Sequence, residues 1–361
     1  AGAARDLGAA VARRPTDVSR RLSWVGALLA AGERKQALAA IDAGLAQAPE
    51  AAALWSAREV LGEGGPMDAY RIDGVEVIKS YLASGRSYGG PAVVLLDRTV
   101  VKIFPTGARL TLTHNVIQVL AKEGLDQWGE VRIPSGARVI KLRTIKPDYS
   151  TREPEDIANK DAVSAPDLQI GDYVEYEWIE ADAPLGAFGG GFVGDRFYFG
   201  TFDAPLDRTA MDIVTPQGLA GLLDVRGDAP RPVTRSENGE THVMFADVQR
   251  KQLVSEPASV PNVEVIASTR PYARITWEAW RRMLRQQAWA AARADHSVRE
   301  RAAQIVAARR KQLGHTLTPR ERAVALYDWV VGNVEGGGGL GMEPAEVLAE
   351  RAGSRVVLLS A

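Results

Sequence analysis

The sequence contains no cysteine and only four histidines in 361 residues. The first absence excludes disulfides, thiolate metal sites and thiol catalysis together. It leaves the compartment open, because cytosolic and exported proteins alike can lack cysteine. The histidines His114, His242, His296 and His315 are scattered, and none stands in a His-x-x-x-His or His-Glu-x-x-His spacing. No metal and no cofactor are expected on this reading. No apolar run is long enough to span a bilayer, so no transmembrane segment is expected. The net charge is −1, without the basic surplus that phosphate neutralisation requires, which argues against nucleic acid as a partner. The first residues, Ala1 to Leu7, include Arg5 and Asp6 where a signal peptide would need an apolar core. What is present is ordinary for a globular chain: 46% apolar and 25% charged residues, enough for two or three domains with their own cores.

Pro15 and Pro49 are 34 residues apart, and the same offset carries Ala3 onto Ala37 and Leu7 onto Ile41. That is the tetratricopeptide period, in which stacked helix pairs bury a shared core. Leu28, Gly32, Ala37, Ile41 and Pro49 fall at the apolar, turn, small, bulky and terminating positions of one copy. A further copy opens at Trp55 and dissolves into Gly62-Glu63-Gly64-Gly65-Pro66, a hinge or linker. Residues 1–61 thus resemble the end of a longer array cut at its start, with 62–69 as linker. A plain alanine-rich hairpin is the alternative.

From about Asp73 the helical period gives way to β-branched runs separated by Gly and Pro turns. They are Ala92–Leu96, Thr99–Phe104, Leu110–Val119, Val139–Ile145, Tyr173–Ile179, Arg196–Thr201, His242–Ala246 and Val263–Ala267. Many short strands of this kind predict an antiparallel sandwich. Leu96-Asp97-Arg98-Thr99, Lys122-Glu123-Gly124-Leu125, Lys141 to Asp148, Ile170-Gly171-Asp172-Tyr173-Val174-Glu175-Tyr176-Glu177 and Arg196 to Gly200 resemble the domain of unknown function that precedes transglutaminase cores in bacterial envelope proteins. The resemblance implies architecture and not chemistry. Phe188, Phe192, Tyr198 and Phe202 surround a glycine-rich loop, and aromatic faces there could stack on a glycan or pack a peptide; core packing is the competing reading. Between Lys146 and Asp182 stand 11 acidic and three basic residues. They lack calcium-loop spacing and read as a solvated rim.

Between Arg270 and Arg322 the balance inverts, with 13 basic and four acidic residues. Mutual neutralisation of the two stretches is expected. Thr318-Pro319-Arg320-Glu321 spells a helix start with N-cap, Pro at N1 and Glu at N3. The helix should bury Ala323, Leu326, Tyr327, Val330 and Val334. Tyr327-Asp328-Trp329-Val330 with Asn333-Val334 resembles the motif that introduces transglutaminase-like, papain-type cores. The resemblance implies a nucleophilic cysteine shortly after, at a helix N-terminus that lowers its pKa. Gly353 matches the pattern's glycine, Ser354 takes the middle position, and Arg355 stands where the cysteine belongs. Arg355 cannot attack a carbonyl, and Ser354 reads as an N-cap. The family's His and Asp would lie beyond Ala361.

The expected fold class is α+β: a short α-helical repeat segment (1–61), a central antiparallel β-sandwich (70–267) and C-terminal helices resembling the start of a papain-like transglutaminase core (268–361). The expected function is a non-catalytic scaffold acting on protein partners through the helical repeats. The alternatives are an amide-bond hydrolase or transamidase completed by sequence beyond residue 361, and a carbohydrate-binding β module. The resemblance implies an exported protein of the periplasm or cell envelope.

Overall fold

The computed structural model describes residues 2–155, 161–185, 191–219, 221–254, 260–273, 275–282, 285, 296–336 and 344–353. They fall into two compact units, Ala1–Ile275 and Thr276–Ala361.

The first unit opens with four helices, α1 (Gly2–Arg13), α2 (Val18–Ala30), α3 (Arg34–Leu45) and α4 (Ala52–Val60). Asp17 caps α2 by accepting the Arg20 N–H. Gly32, at φ +77°, closes α2 in the left-handed conformation and turns the chain into α3. Leu28, Ala37, Ala40, Ile41 and Leu54 form the buried core between them. Arg21 is buried there too, and its guanidinium donates to the carbonyls of Ala40 (2.9 Å) and Pro15 (2.8 Å). Its alkyl stem passes so close to Gly44 that a Cβ at that position would collide with it.

A short turn (Asp68–Tyr70) and α5 (Gly74–Ala83) lead into the strands. In chain order follow β1 (Ala92–Ile103), β2 (Arg109–Val119), α6 (Lys122–Trp128), β3 (Glu130–Arg132), β4 (Arg138–Ile145), β5 (Thr151–Arg152) and β6 (Ala162–Ser164). Then come β7 (Tyr173–Asp182), β8 (Phe192–Val193), β9 (Phe197–Tyr198), β10 (Leu206–Pro216), β11 (Leu222–Arg226), β12 (Val233–Glu237), β13 (Glu240–Arg250), α7 (Asn262–Val265) and β14 (Ser268–Ala273). Eight strands form one sheet in the order β12-β13-β10-β1-β2-β7-β4-β5. Every pair is antiparallel except β1 with β10, where the chain returns after a long excursion. The class is α+β.

Both faces of this sheet are covered. On one, Val77, Ile78 and Tyr81 of α5 pack on Leu96, Val116, Ile145 and Tyr173. Farther along the same face, Met67 sits among Val100, Leu110, Leu112, Ile179 and Val214, with Trp55 of α4 against it. The other face has two covers. A small sheet, β11-β14-β8 with β9 also on β14, sets Phe192, Phe197 and Phe199 against Val101, Met211, Ile213 and Phe245. The antiparallel pair of β3 and β6 sets Val131 and Val163 against Leu142, Val174 and Trp178.

Three strand expectations are corrected. The separate runs at Ala92–Leu96 and Thr99–Phe104 are one strand, whose register shifts between Val94 and Leu96. Arg196–Thr201 is a strand only at Phe197–Tyr198. Val263–Ala267 is mostly the single turn of α7, started after Pro261, and ladder pairing begins at Ser268 opposite Arg226.

The second unit contains α8 (His296–Leu313), α9 (Pro319–Asn333), β15 (Glu335–Gly336), α10 (Pro344–Glu350) and β16 (Ala352–Gly353). Thr318 accepts the Glu321 N–H while the Glu321 carboxylate accepts the Thr318 N–H, so the expected capping box forms. The expected buried face of this helix is corrected: Ala323 and Tyr327 are exposed, and Ala325 and Val330 are buried. Trp329, which packs beside Val330, carries the Arg301 guanidinium over its ring at 5.7 Å, turning the helix toward α8. No described helix is long and apolar enough to cross a membrane.

Candidate functional site

Alternation along β2 and β7 puts His114, Glu175 and Glu177 on one face, and register brings them together. His114 lies opposite Glu177 on β7, while Lys141 and Arg143 on β4 lie opposite Glu177 and Glu175. The side chains of His114, Glu175 and Glu177 are fully buried. His114 Nε2 is 2.9 Å from Glu175 Oε1, Lys141 Nζ is 3.3 Å from the same oxygen, and Arg143 Nε donates to Glu175 Oε2 at 2.6 Å. From above, Arg71 donates to Glu177 through Nε (3.0 Å) and Nη2 (2.8 Å) to the same Oε2. Gly74, first residue of α5, approaches Glu175 so closely that a side chain there would strike the carboxylate.

Burial pushes the Glu175 carboxyl up, but the hydrogen bond from His114 and the charges of Lys141, His114 and Arg143 outweigh it and hold it at about 2. A buried carboxylate so surrounded is a fastener. Walled beneath the Asp68–Gly74 strap, the His114–Glu175 pair has no room to meet a substrate. The strap is pinned on its other flank as well: Tyr70 donates to Glu240 (3.0 Å), Lys102 pairs with Glu240 (2.8 Å), and Arg98 donates to the Tyr70 carbonyl. Asp148, Glu153, Glu155, Asp161 and Asp167 are exposed, as a solvated rim requires, but from Asp172 onward that reading of 146–182 is corrected. Glu175 and Glu177 are buried, Asp172 pairs with Lys146 (2.8 Å) and Asp182 with Arg109 (3.1 Å). The acidic charge of Asp172, Glu175, Glu177 and Asp182 is therefore neutralised inside the first unit.

The opposite face carries a polar strip between its two covers. Asp97, Asn115 and Tyr176 share one rung of β1, β2 and β7; Thr99 and Thr113 share the next, and Thr111 and Glu180 the one after. A cavity of about 120 Å³ opens there, lined by Thr99, Thr111, Thr113, Glu180, Asp195 and Arg196. Burial pushes the Asp97 carboxyl up to about 6, against the hydrogen bond it makes with Asn115. Burial also raises Tyr176, and the Asp97 charge adds to it. Glu180 is raised by burial first, then by repulsion from Asp182 and Asp195. A small polar ligand or a few waters would fill this space.

No protein-family model and no curated protein matches the chain. Among solved structures it is similar to the crystal structure of a putative protease from Parabacteroides distasonis, with a TM-score of 0.54 and 11% identical residues, over 76% of this chain and 59% of that one. This chain therefore spans less than two thirds of that protein's length. At that identity the two share a fold.

Of the residues singled out in the sequence, Gly353 lies in β16, which runs parallel to β15 with Gly336 opposite it. Ser354, Arg355 and Phe188 lie outside the described residues. Phe192 is corrected: it is 2% exposed in the core beneath the small sheet, so it cannot offer a ring to a ligand. Tyr198 and Phe202 are half-buried. Among the described residues no group of three or more His, Cys, Asp or Glu is arranged to hold a metal.

Proposed function

We propose that the chain is a scaffold of the transglutaminase-like class, in which a tetratricopeptide-like helical layer is fixed on a β-domain and presents its helices to a protein partner. One observation carries the reading: the Arg71–Glu177 ion pair binds the strap between helices and sheet to a buried charge cluster. Glu59 of α4 adds a second tie, accepting from Arg138 on β4 at 2.8 Å, and Trp55 packs into the same interface. A layer fixed in this manner holds its outer helices in one orientation, and that pre-organisation favours binding. The β-domain corresponds, on this reading, to the domain of unknown function that precedes transglutaminase cores, and the protein works in a bacterial envelope.

The test is turnover of glutamine-containing peptides by the purified chain, followed as ammonia release and amine incorporation. The scaffold reading predicts no release above the uncatalysed rate. Turnover that disappears in Ser354→Ala overturns it. That outcome would favour the second reading, an amide-bond hydrolase or transamidase acting on peptide or cell-wall substrates and completed by sequence beyond residue 361. The fold shared with a protein described as a putative protease supports that alternative.

A further inference from the structure

The two edges of the large sheet differ. One ends in β5, which has two residues; the other ends in β12, whose five residues are all exposed, Val233 at 59%. A strand edge with unpaired N–H and C=O groups is a template for another strand unless it is shortened, bulged or interrupted by Pro. β12 contains no Pro, and its register with β13 is unbroken from Val233↔Met244 to Glu237↔Glu240.

The turn fixes which groups face outward. Asn238 (φ +50°) and Gly239 (φ +77°) form the two-residue loop joining β12 to β13. In such a hairpin the flanking residues, Glu237 and Glu240, exchange both backbone hydrogen bonds, and the alternation repeats at Arg235 and Val233. Thr234 and Ser236 therefore turn their N–H and C=O away from β13. Meanwhile two carboxylates, Glu237 and Glu240, stand directly opposite each other, a destabilising arrangement. Glu240 is engaged by Lys102 and Tyr70; Glu237 has no cation against it among the described residues.

We infer that β12 pairs antiparallel with β12 of a second copy of this chain, about a two-fold axis at Ser236. In that register the outward groups of Ser236 bond their own symmetry mate. Arg235 then faces Glu237 of the second copy, and Glu237 faces its Arg235. Both are pairs of the non-hydrogen-bonded type, where side chains approach most closely. Moving the axis to Arg235 sets two arginines against each other, and moving it to Thr234 sets Arg235 against Val233 and shifts Glu237 opposite Arg231, which precedes the strand. The contact is isologous, so it closes at two copies. A short edge contact lies at the small end of interfaces, so the dimer is reversible.

Sedimentation velocity of the full chain, from micromolar to submillimolar concentration, tests this. Wild type should pass from monomer to dimer over that range. Arg235→Glu and Glu237→Arg should each weaken dimerisation at least about tenfold, and the double exchange R235E/E237R should restore it. Ser236→Pro, which removes the central N–H, should remain monomeric with an unchanged far-ultraviolet spectrum. A wild type that stays monomeric overturns the inference. So does a Ser236→Pro dimer as tight as wild type, or a double exchange as weak as the single ones.

Discussion

Glu177 is sealed in the sheet with no exposed side-chain surface, and Arg71, three-tenths exposed on the strap above, donates to it twice. The next cation, Lys141, is 3.8 Å away. Most of the stabilisation of that buried charge therefore comes from a residue outside the strands.

Arg71→Met should destabilise the chain by about 3–5 kcal/mol, because it leaves a buried carboxylate without its main partner. Arg71→Lys should recover only part, since an ammonium cannot reproduce the guanidinium's fork. Urea unfolding measures both. A loss below about 1 kcal/mol for Arg71→Met would show that solvent already reaches Glu177.

Gly44→Ala should cost about 1–3 kcal/mol, because the added methyl collides with the Arg21 stem in a packed core. Gly26, also inside a helix, meets nothing within 4 Å. Gly26→Ala should therefore stabilise, by up to about 1 kcal/mol, through helix propensity alone. Thermal melts of the pair separate clash from propensity.

Glu175 and Asp97 should give stability opposite pH dependences. The Glu175 carboxyl is depressed from 4.5 to about 2 in the fold. Its contribution is thus complete above about 4.5 and is lost as pH falls toward 2, by roughly 3 kcal/mol. The Asp97 carboxyl is raised from 3.8 to about 6. The fold therefore favours its protonated form, and stability falls as pH rises from 3.8 through 6. Asp97→Asn should remove that loss and leave the chain more stable than wild type at pH 7, with little difference at pH 3.5. Equal stability of the two at both pH values would contradict the burial of Asp97.

The sequence made some of this legible. Thr318 and Glu321 sit where a capping box needs them, and such a cap depends only on neighbours in the chain. Gly32 likewise stands at a turn position of the sequence pattern, and it closes α2 with φ +77°. The run Glu175-Tyr176-Glu177 belongs to a stretch that carries a family resemblance, and on a single strand it alternates acidic and aromatic side chains. What decides its burial is that His114, 61 residues earlier, and Lys141 and Arg143 share its rungs, and register across strands is not written in local spacing. β10 is not among the predicted strands because Asp207, Arg208 and Asp212 interrupt its apolar pattern. In the fold Asp207 pairs with Arg86 (2.6 Å) and Asp212 with Arg98 (2.6 Å), so charges that suggest a loop belong to a central strand.

Native-state hydrogen exchange tests the central claim, that the helical layer and the β-domain form one fixed body. Amides in the middle of α2 and α3 and those in β1, β2 and β7 should open with the same free energy and the same denaturant dependence. Arg71→Met should lower the helical amides first. Helices that exchange well below the strands in the wild-type chain would show a loosely tethered layer, and the scaffold account would fail.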